Sequence, residues 1–314
     1  MKRQFALAGV AILALAACGE TGEAPEETVV EAPAEEPAAP EATAPEMDMD
    51  AMRAALMAAV ASDARAEGAS VRDEFRNPAE TLMFFGVKPS DTVVEIWPGG
   101  GWYTDIISVY LASGGGKLYG AHFDPTSDSE RVQSALRRFD EKYVDNPDVH
   151  GDVTRTVLSQ NNVDIAPAGS ADVVVTFRNA HNFEMGGWAP DAFAAFYAAL
   201  KPGGTLGVVD HRLPEDADKA REKSSGYIKL STVRAAAEEA GFVFDGSSEV
   251  NANADDDTDH PFGVWTLPPI SRTTDRAGNA PEGFDAEAFK AIGESDRMTL
   301  RFKKPVEPAE ALLE

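Results

Sequence analysis

Residues 171–177, ADVVVTF, form a nearly continuous apolar run rich in β-branched residues. The run is too short for an ordinary helix and lacks the alternation of a strand with one wet face. It reads as a strand covered on both sides, which is the situation of parallel sheets with crossover helices on both faces. Residues 92–96 (TVVEI) and 205–209 (TLGVV) repeat the pattern. Further strands are predicted at 117–121, from 242 onward and at 298–302, with a short third strand at 149–150. Helical spacing covers 52–66, 72–85, 104–111, 128–143, 189–200 and 231–240. Strands alternating with helices predict an α/β fold, a doubly wound mostly parallel sheet.

The chain does not begin with that domain. Lys2 and Arg3 precede an apolar run from Phe5 to Ala17, then Leu15-Ala16-Ala17-Cys18-Gly19. The run has the length of a signal-peptide core and is too short to span a bilayer. Residues 1–17 are therefore expected to be a signal peptide. The small residues before Cys18 resemble the lipobox of bacterial lipoproteins, in which the thiol is acylated and becomes the mature N-terminus. The alternative is an ordinary secretory signal with an incidental cysteine. On the resemblance, Gly19 implies outer-membrane sorting, and the expected location is the cell envelope, facing the periplasm. Residues 18–51 follow as a tether: between 19 and 50 stand eleven acidic residues, five prolines and no Lys or Arg. Such a stretch cannot bury enough apolar surface to fold. The folded domain is expected over 52–305, interrupted by a polar insertion at about 251–296, with a tail at 306–314.

Composition narrows the function. A formal net charge of -25 opposes binding to a phosphate backbone, so a nucleic-acid partner is not expected. The lone cysteine excludes an internal disulfide framework and a multi-thiolate zinc site. The expected partners are a small-molecule substrate and a membrane reached through the N-terminal anchor only.

In an open parallel sheet, ligands gather at the carboxyl ends of the strands. The segment Trp97-Pro98-Gly99-Gly100-Gly101-Trp102-Tyr103-Thr104 stands there, directly after the strand at 92–96. Glycines allow a backbone to approach a ligand, and a tight turn into a helix also needs them. The segment is neither a Walker A loop nor the six-residue dinucleotide fingerprint.

Glu95 before Gly99 and Gly101, Gly151-Asp152 later, and Leu200-Lys-Pro-Gly-Gly204 before a strand resemble class I S-adenosylmethionine-dependent methyltransferases. The stretches VVEIWPGGGWYT, TFRNAHNF, GVVDHR, DHPFGVWTLPP and ESDRMTLRF are similar to a bacterial group of predicted methyltransferases. The resemblance covers roughly residues 75–250. It implies a Rossmann-like methyltransferase fold with an antiparallel last strand, and S-adenosylmethionine as cofactor. It places Gly99 and Gly101 under the methionine part of the cofactor, Gly100 among the residues that bind it, and Glu95 behind the loop and at the amino group. It also places Asp152 at the adenine amine. Trp97 stands where the first glycine is usual. His122 stands where a carboxylate usually grips the ribose, and Asp124 is the candidate to replace it.

A second constellation rests on the residues alone. His122, His181 and His211 all fall at predicted strand ends, and His260 lies in an Asp-rich loop. Arg178-Asn179-Ala180-His181-Asn182 is the densest polar group directly after a buried strand. Imidazoles among carboxylates suit general-base or metal chemistry, and each can also simply cap a strand. The expected catalytic group is His181, Asn179, Asn182, Arg178 and His211, with His181 as base. The tryptophans are core or the wall of an apolar pocket. The leading function is methyl transfer to a small or envelope-associated acceptor. The alternatives are a ligand-binding module on the same fold and a His/Asp metal-assisted hydrolase or lyase.

Overall fold

The computed structural model of the protein describes residues 49–306. The expected signal peptide, Cys18 and nearly all of the tether and tail lie outside the described residues. Among those described, no helix is long and apolar enough to cross a membrane.

Nine strands alternate with helices: β1 (Thr92–Ile96), β2 (Lys117–His122), β3 (Asp152–Val157), β4 (Ala171–Phe177), β5 (Leu200–Leu213), β6 (Ile228–Lys229), β7 (Val243–Ser248), β8 (Pro261–Val264) and β9 (Arg297–Lys303). The sheet order is β3-β2-β1-β4-β5-β9-β7, with β6 attached to β5. Strands β1 to β5 run parallel, while β9 inserts antiparallel between β5 and β7. This is the Rossmann-like, doubly wound arrangement expected from the sequence, antiparallel last strand included.

The helices are α1 (Met49–Val60), α2 (Asp73–Arg76), α3 (Pro78–Phe85), α4 (Thr104–Ala112), α5 (Glu130–Phe139), α6 (Pro147–His150), α7 (Ala180–Gly186), α8 (Ala189–Ala199), α9 (Leu230–Glu239) and α10 (Ala286–Ile292). Successive strand residues face opposite sides, so each apolar strand feeds two cores. Val93, Val173 and Val175 pack with Leu56, Leu82, Phe85 and Ile107, from α1, α3 and α4. Val94, Ile96 and Val174 pack with Phe183, Phe193, Phe196 and Val233, from α7, α8 and α9. Both faces are dry, which is why ADVVVTF shows no alternation.

One local expectation needs correction. Residues 147–150 are helical, because Pro147 opens a turn without losing a hydrogen bond; the third strand starts only at Asp152. After β4 a two-residue turn, Arg178 and Asn179, leads into α7. The polar insertion at 251–296 contains β8 and α10, and several of its polar side chains bond inside the fold. Asn251 donates to Thr81 and Thr299, both at 2.9 Å, and Asn253 donates to the carbonyls of Ile292 and Glu294.

Candidate active site

The order β3-β2-β1-β4-β5 reverses direction between β1 and β4, where a ligand crevice is expected. A cavity of about 390 Å³ opens there. One wall is the turn after β1, with Glu95, Gly99 and Gly100. A second is the turn after β4, with Phe177, Arg178 and Asn179. A third comes from Arg72 and Arg76, just before α3. Asn179 ties the two strand ends together by donating its side-chain amide to the carbonyl of Ile96 at 3.0 Å.

The glycines of the loop do different work. Gly99 has φ of 63°, and a Cβ there would meet nothing closer than 3.9 Å, so its backbone is open. Gly100 is likewise unobstructed. Gly101 is not part of the wall and faces Tyr143, whose hydroxyl would lie 1.8 Å from any Cβ at residue 101. The expectation that Gly101 passes beneath a ligand is therefore corrected: its missing side chain makes room for a buried phenol.

Glu95 is 2% exposed and accepts from the Thr104 hydroxyl at 2.6 Å. Burial lifts its pKa to about 8; the Thr104 bond opposes that shift and nearby Asp105 adds to it. Glu95 is thus largely a neutral acid at pH 7.

The positions expected to hold an adenosine are arranged otherwise. Asp152 is the first residue of β3 and pairs with Lys117, the first of β2. It lies at the amino end of the sheet, five residues or about 17 Å of strand from the ligand edge. His122 closes β2 with its ring turned into the core. Its Nδ1 accepts from the Phe123 amide at 2.8 Å, and it packs edge-on against Phe123 and Phe139. Burial, reinforced by Arg155, pushes its pKa down to about 4, so it stays neutral. Asp124 does not border the cavity; its oxygens accept from Thr126 and Ser159. Over the same strand ends spreads Trp97, held at φ of 46°. Its indole donates to the Leu158 carbonyl at 2.8 Å and packs against Phe123, Phe183 and Trp188.

Beside the cavity, His181 and His211 come together, with ring centres 5.2 Å apart. Neither forms part of the wall; both are buried next to the turn that Arg178 and Asn179 build. His181 is in the first turn of α7, and its Nδ1 donates to Asp210 at 2.7 Å. That bond leaves Nε2 as the basic nitrogen. Asp210 also accepts from the backbone amides of His181 and His211, at 3.0 and 2.8 Å. His211 lies inside β5 rather than beyond its end, with Nδ1 2.5 Å from the Ser295 hydroxyl. Burial, then His181, Arg178 and Arg297, push its pKa well below 6.5. His181, Asp210 and His211 offer ligand atoms within 4.8 Å of one another. Because Asp210 already accepts three N–H groups, the arrangement suits an oriented base better than a metal. Asn182 sits on the next position of α7, partly buried, its amide 3.5 Å from the Arg178 carbonyl. His260 is elsewhere, bonded to Asp256, which also accepts from Tyr227, Thr258 and Asp296.

Arg72, Arg76, Glu294 and Arg297 were not expected at this edge. Glu294 accepts from Arg72 at 2.5 Å, Arg76 at 3.0 Å and Arg297 at 3.1 Å. One signal was present: Arg72 and Arg76 stand four apart, the spacing that aligns side chains on a helix face.

No model of a known protein family matches the chain, and no curated protein matches it. Solved structures do. A SAM dependent methyltransferase from Aquifex aeolicus is 19% identical, over 57% of this chain and 87% of that one, with a TM-score of 0.42. An S-adenosylmethionine dependent methyltransferase from Mesorhizobium loti is 15% identical, over 75% of this chain and 100% of that one, with a TM-score of 0.43. The [4+2]-cyclase SpnF is 14% identical, over 81% of this chain and 93% of that one, with a TM-score of 0.49. At such distances the fold stands on its own strand order and the site on its own residues.

Proposed function

We propose that this protein transfers a methyl group from S-adenosylmethionine to a small acceptor held in the cavity. The observation that carries the reading is the open backbone of Gly99 and Gly100, beside Glu95, at the switch point between β1 and β4. These residues suit the amino-acid end of that cofactor: Glu95 accepts an ammonium once it releases its proton, and the glycine backbone admits close approach. Bound there, the cofactor supplies an electrophilic methyl group. His181, fixed by Asp210 and buried beside the cavity, is the base for an acceptor N–H or O–H once the turn that Asn179 fixes gives way to it. Asn182 and His211 flank that base, and Arg178 faces the acceptor.

The adenosine end has no such support. His122 is in the core, Asp152 is at the far edge and Trp97 covers the strand ends where a nucleoside would lie. That favours a second reading, a binding module for a small ligand without the nucleoside cofactor. An envelope location, proposed from Cys18, points the same way, because no ready supply of the cofactor is expected outside the cytoplasm.

Calorimetric titration with S-adenosylmethionine near pH 7, in two buffers of different ionisation enthalpy, separates the readings. Methyl transfer requires binding, with proton release as Glu95 ionises against the incoming ammonium. No binding leaves the second reading.

A further inference from the structure

Four guanidinium groups meet along one side of the cavity, and a single carboxylate, Glu294, serves three of them. Arg297 completes its bonding with the carbonyls of Ser295 and Phe75. The other arginines do not. The Nη2 atoms of Arg72 and Arg76 are buried with no hydrogen-bond partner. The guanidinium of Arg178, partly buried after β4, makes no hydrogen bond or ion pair among the described residues. Asp210 is near, but its oxygens are committed to His181 and His211.

Unpaired buried charge is costly, and a cluster that serves only the fold closes its donors. Arg212, on the same strand as Asp210, shows the closed case: Asp296 takes its Nε and Nη2 at 2.8 Å, and Glu249 takes its Nη1. Those bonds, with Asp296 first, raise its pKa. Arg76 and Arg178 behave oppositely. Burial pushes each down to about 10, and neighbouring arginines add to the shift. The Arg178 fork and the Nη2 side of Arg76 are pre-organised for carboxylate or phosphate oxygens that Glu294 does not supply to them.

We propose that Arg72, Arg76 and Arg178 hold the anionic group, a carboxylate or a phosphate, of the molecule acted on in this cavity. The proposal rests on reading the cavity as the acceptor's place. Arg178 belongs to the same turn as Asn179 and leads directly into His181, so an acid anchored there lies against the turn that separates the cavity from the His181–Asp210 pair. The adjoining wall is rigid and apolar. Tyr103 stacks on Phe177 at 3.6 Å, and the guanidinium groups of Arg65 and Arg76 lie 5.0 and 4.6 Å from the Trp102 ring centre.

The test uses the full chain, with inorganic phosphate, benzoate and uncharged benzamide as probes, followed by calorimetry and tryptophan fluorescence. Phosphate or benzoate should bind and benzamide should not; which anion binds better identifies a phosphorylated or a carboxylic acceptor. Arg178→Gln should weaken that binding at least about tenfold, with Arg178→Lys between. Ligand-free Arg178→Gln should melt no lower than wild type, because it removes a repelling charge. Binding of benzamide as tight as benzoate, no binding of either anion, equal binding by Arg178→Gln, or a lower melting point of that variant overturns the proposal. So does a loss of S-adenosylmethionine affinity in Arg178→Gln that its decarboxylated analogue does not share, since the cage then belongs to the methyl donor. A wild-type protein that ignores S-adenosylmethionine yet binds the anions removes the methyl-transfer reading and leaves this one standing.

Discussion

The Thr104 hydroxyl reaches back across the glycine turn to donate to Glu95 at 2.6 Å, joining the first turn of α4 to the penultimate residue of β1. The bond tightens the loop, and it also opposes the proton that burial drives onto Glu95. Between pH 4.5 and about 8 the folded chain keeps that proton while an unfolded chain has lost it. The group's contribution to stability therefore declines as pH rises through this window and levels off above it. His122, pushed down to about 4, works in the opposite direction, losing stability as pH falls below 6.5.

Glu95→Gln should accordingly gain on wild type as pH rises. Between pH 6.5, above which His122 is silent, and pH 8.5, the melting-point difference should widen by several degrees in favour of the variant. A difference that stays constant with pH would show that Glu95 is ionised throughout.

Gly101→Ala should be among the most damaging single-methyl changes in the domain. Residue 101 has φ of 84°, and the new Cβ would lie 1.8 Å from the Tyr143 hydroxyl, which donates to Asp105. A loss of roughly 2–4 kcal/mol is expected in denaturant unfolding, against little change for Gly100→Ala. Equal tolerance at both positions would refute the division of labour within the loop.

His181→Ala should lower turnover by about 10²–10⁴-fold while leaving donor affinity nearly unchanged, because the base lies beside the glycine wall rather than in it. Asp210→Asn should reproduce the loss with a shifted pH–rate profile, the outcome expected of a residue that orients a base. A variant at 181 that binds no ligand at all would place the imidazole in a binding cage instead.

Cys18→Ser should move the protein from the membrane to the soluble fraction when it is made in a Gram-negative host. The proposal follows from the LAAC-Gly pattern behind a short apolar run. Retention of the variant on membranes would remove the lipid anchor.

Much of the sheet was legible because its strands are apolar on both faces, and ADVVVTF or TVVEI has few other ways to be satisfied. The third strand was not, because Asp152–Val157 lies at the sheet edge with half-buried polar residues, and its pattern is diluted. Asp152 shows the cost: its motif spacing is right, but spacing does not say at which end of a strand a residue falls. Arg178, Asn179 and His181 were legible as a group from density of polar residues after a buried strand. The arginine cage was not, since it gathers Arg72 and Arg76 with Glu294 from the opposite end of the domain, and only the antiparallel insertion of β9 brings them together.

The bonds from Arg72 and Arg76 to Glu294 span 222 and 218 residues of sequence. Such contacts close late, after the intervening chain has been arranged. During synthesis Arg72 and Arg76 therefore lack the carboxylate that fixes them until nearly the whole domain has emerged, however early β1 and its glycine turn are made. A chain cut short between β4 and Glu294 keeps the glycine turn and all three arginines but leaves Arg72 and Arg76 without their shared carboxylate. The fixing of these two side chains is thus a late event of assembly.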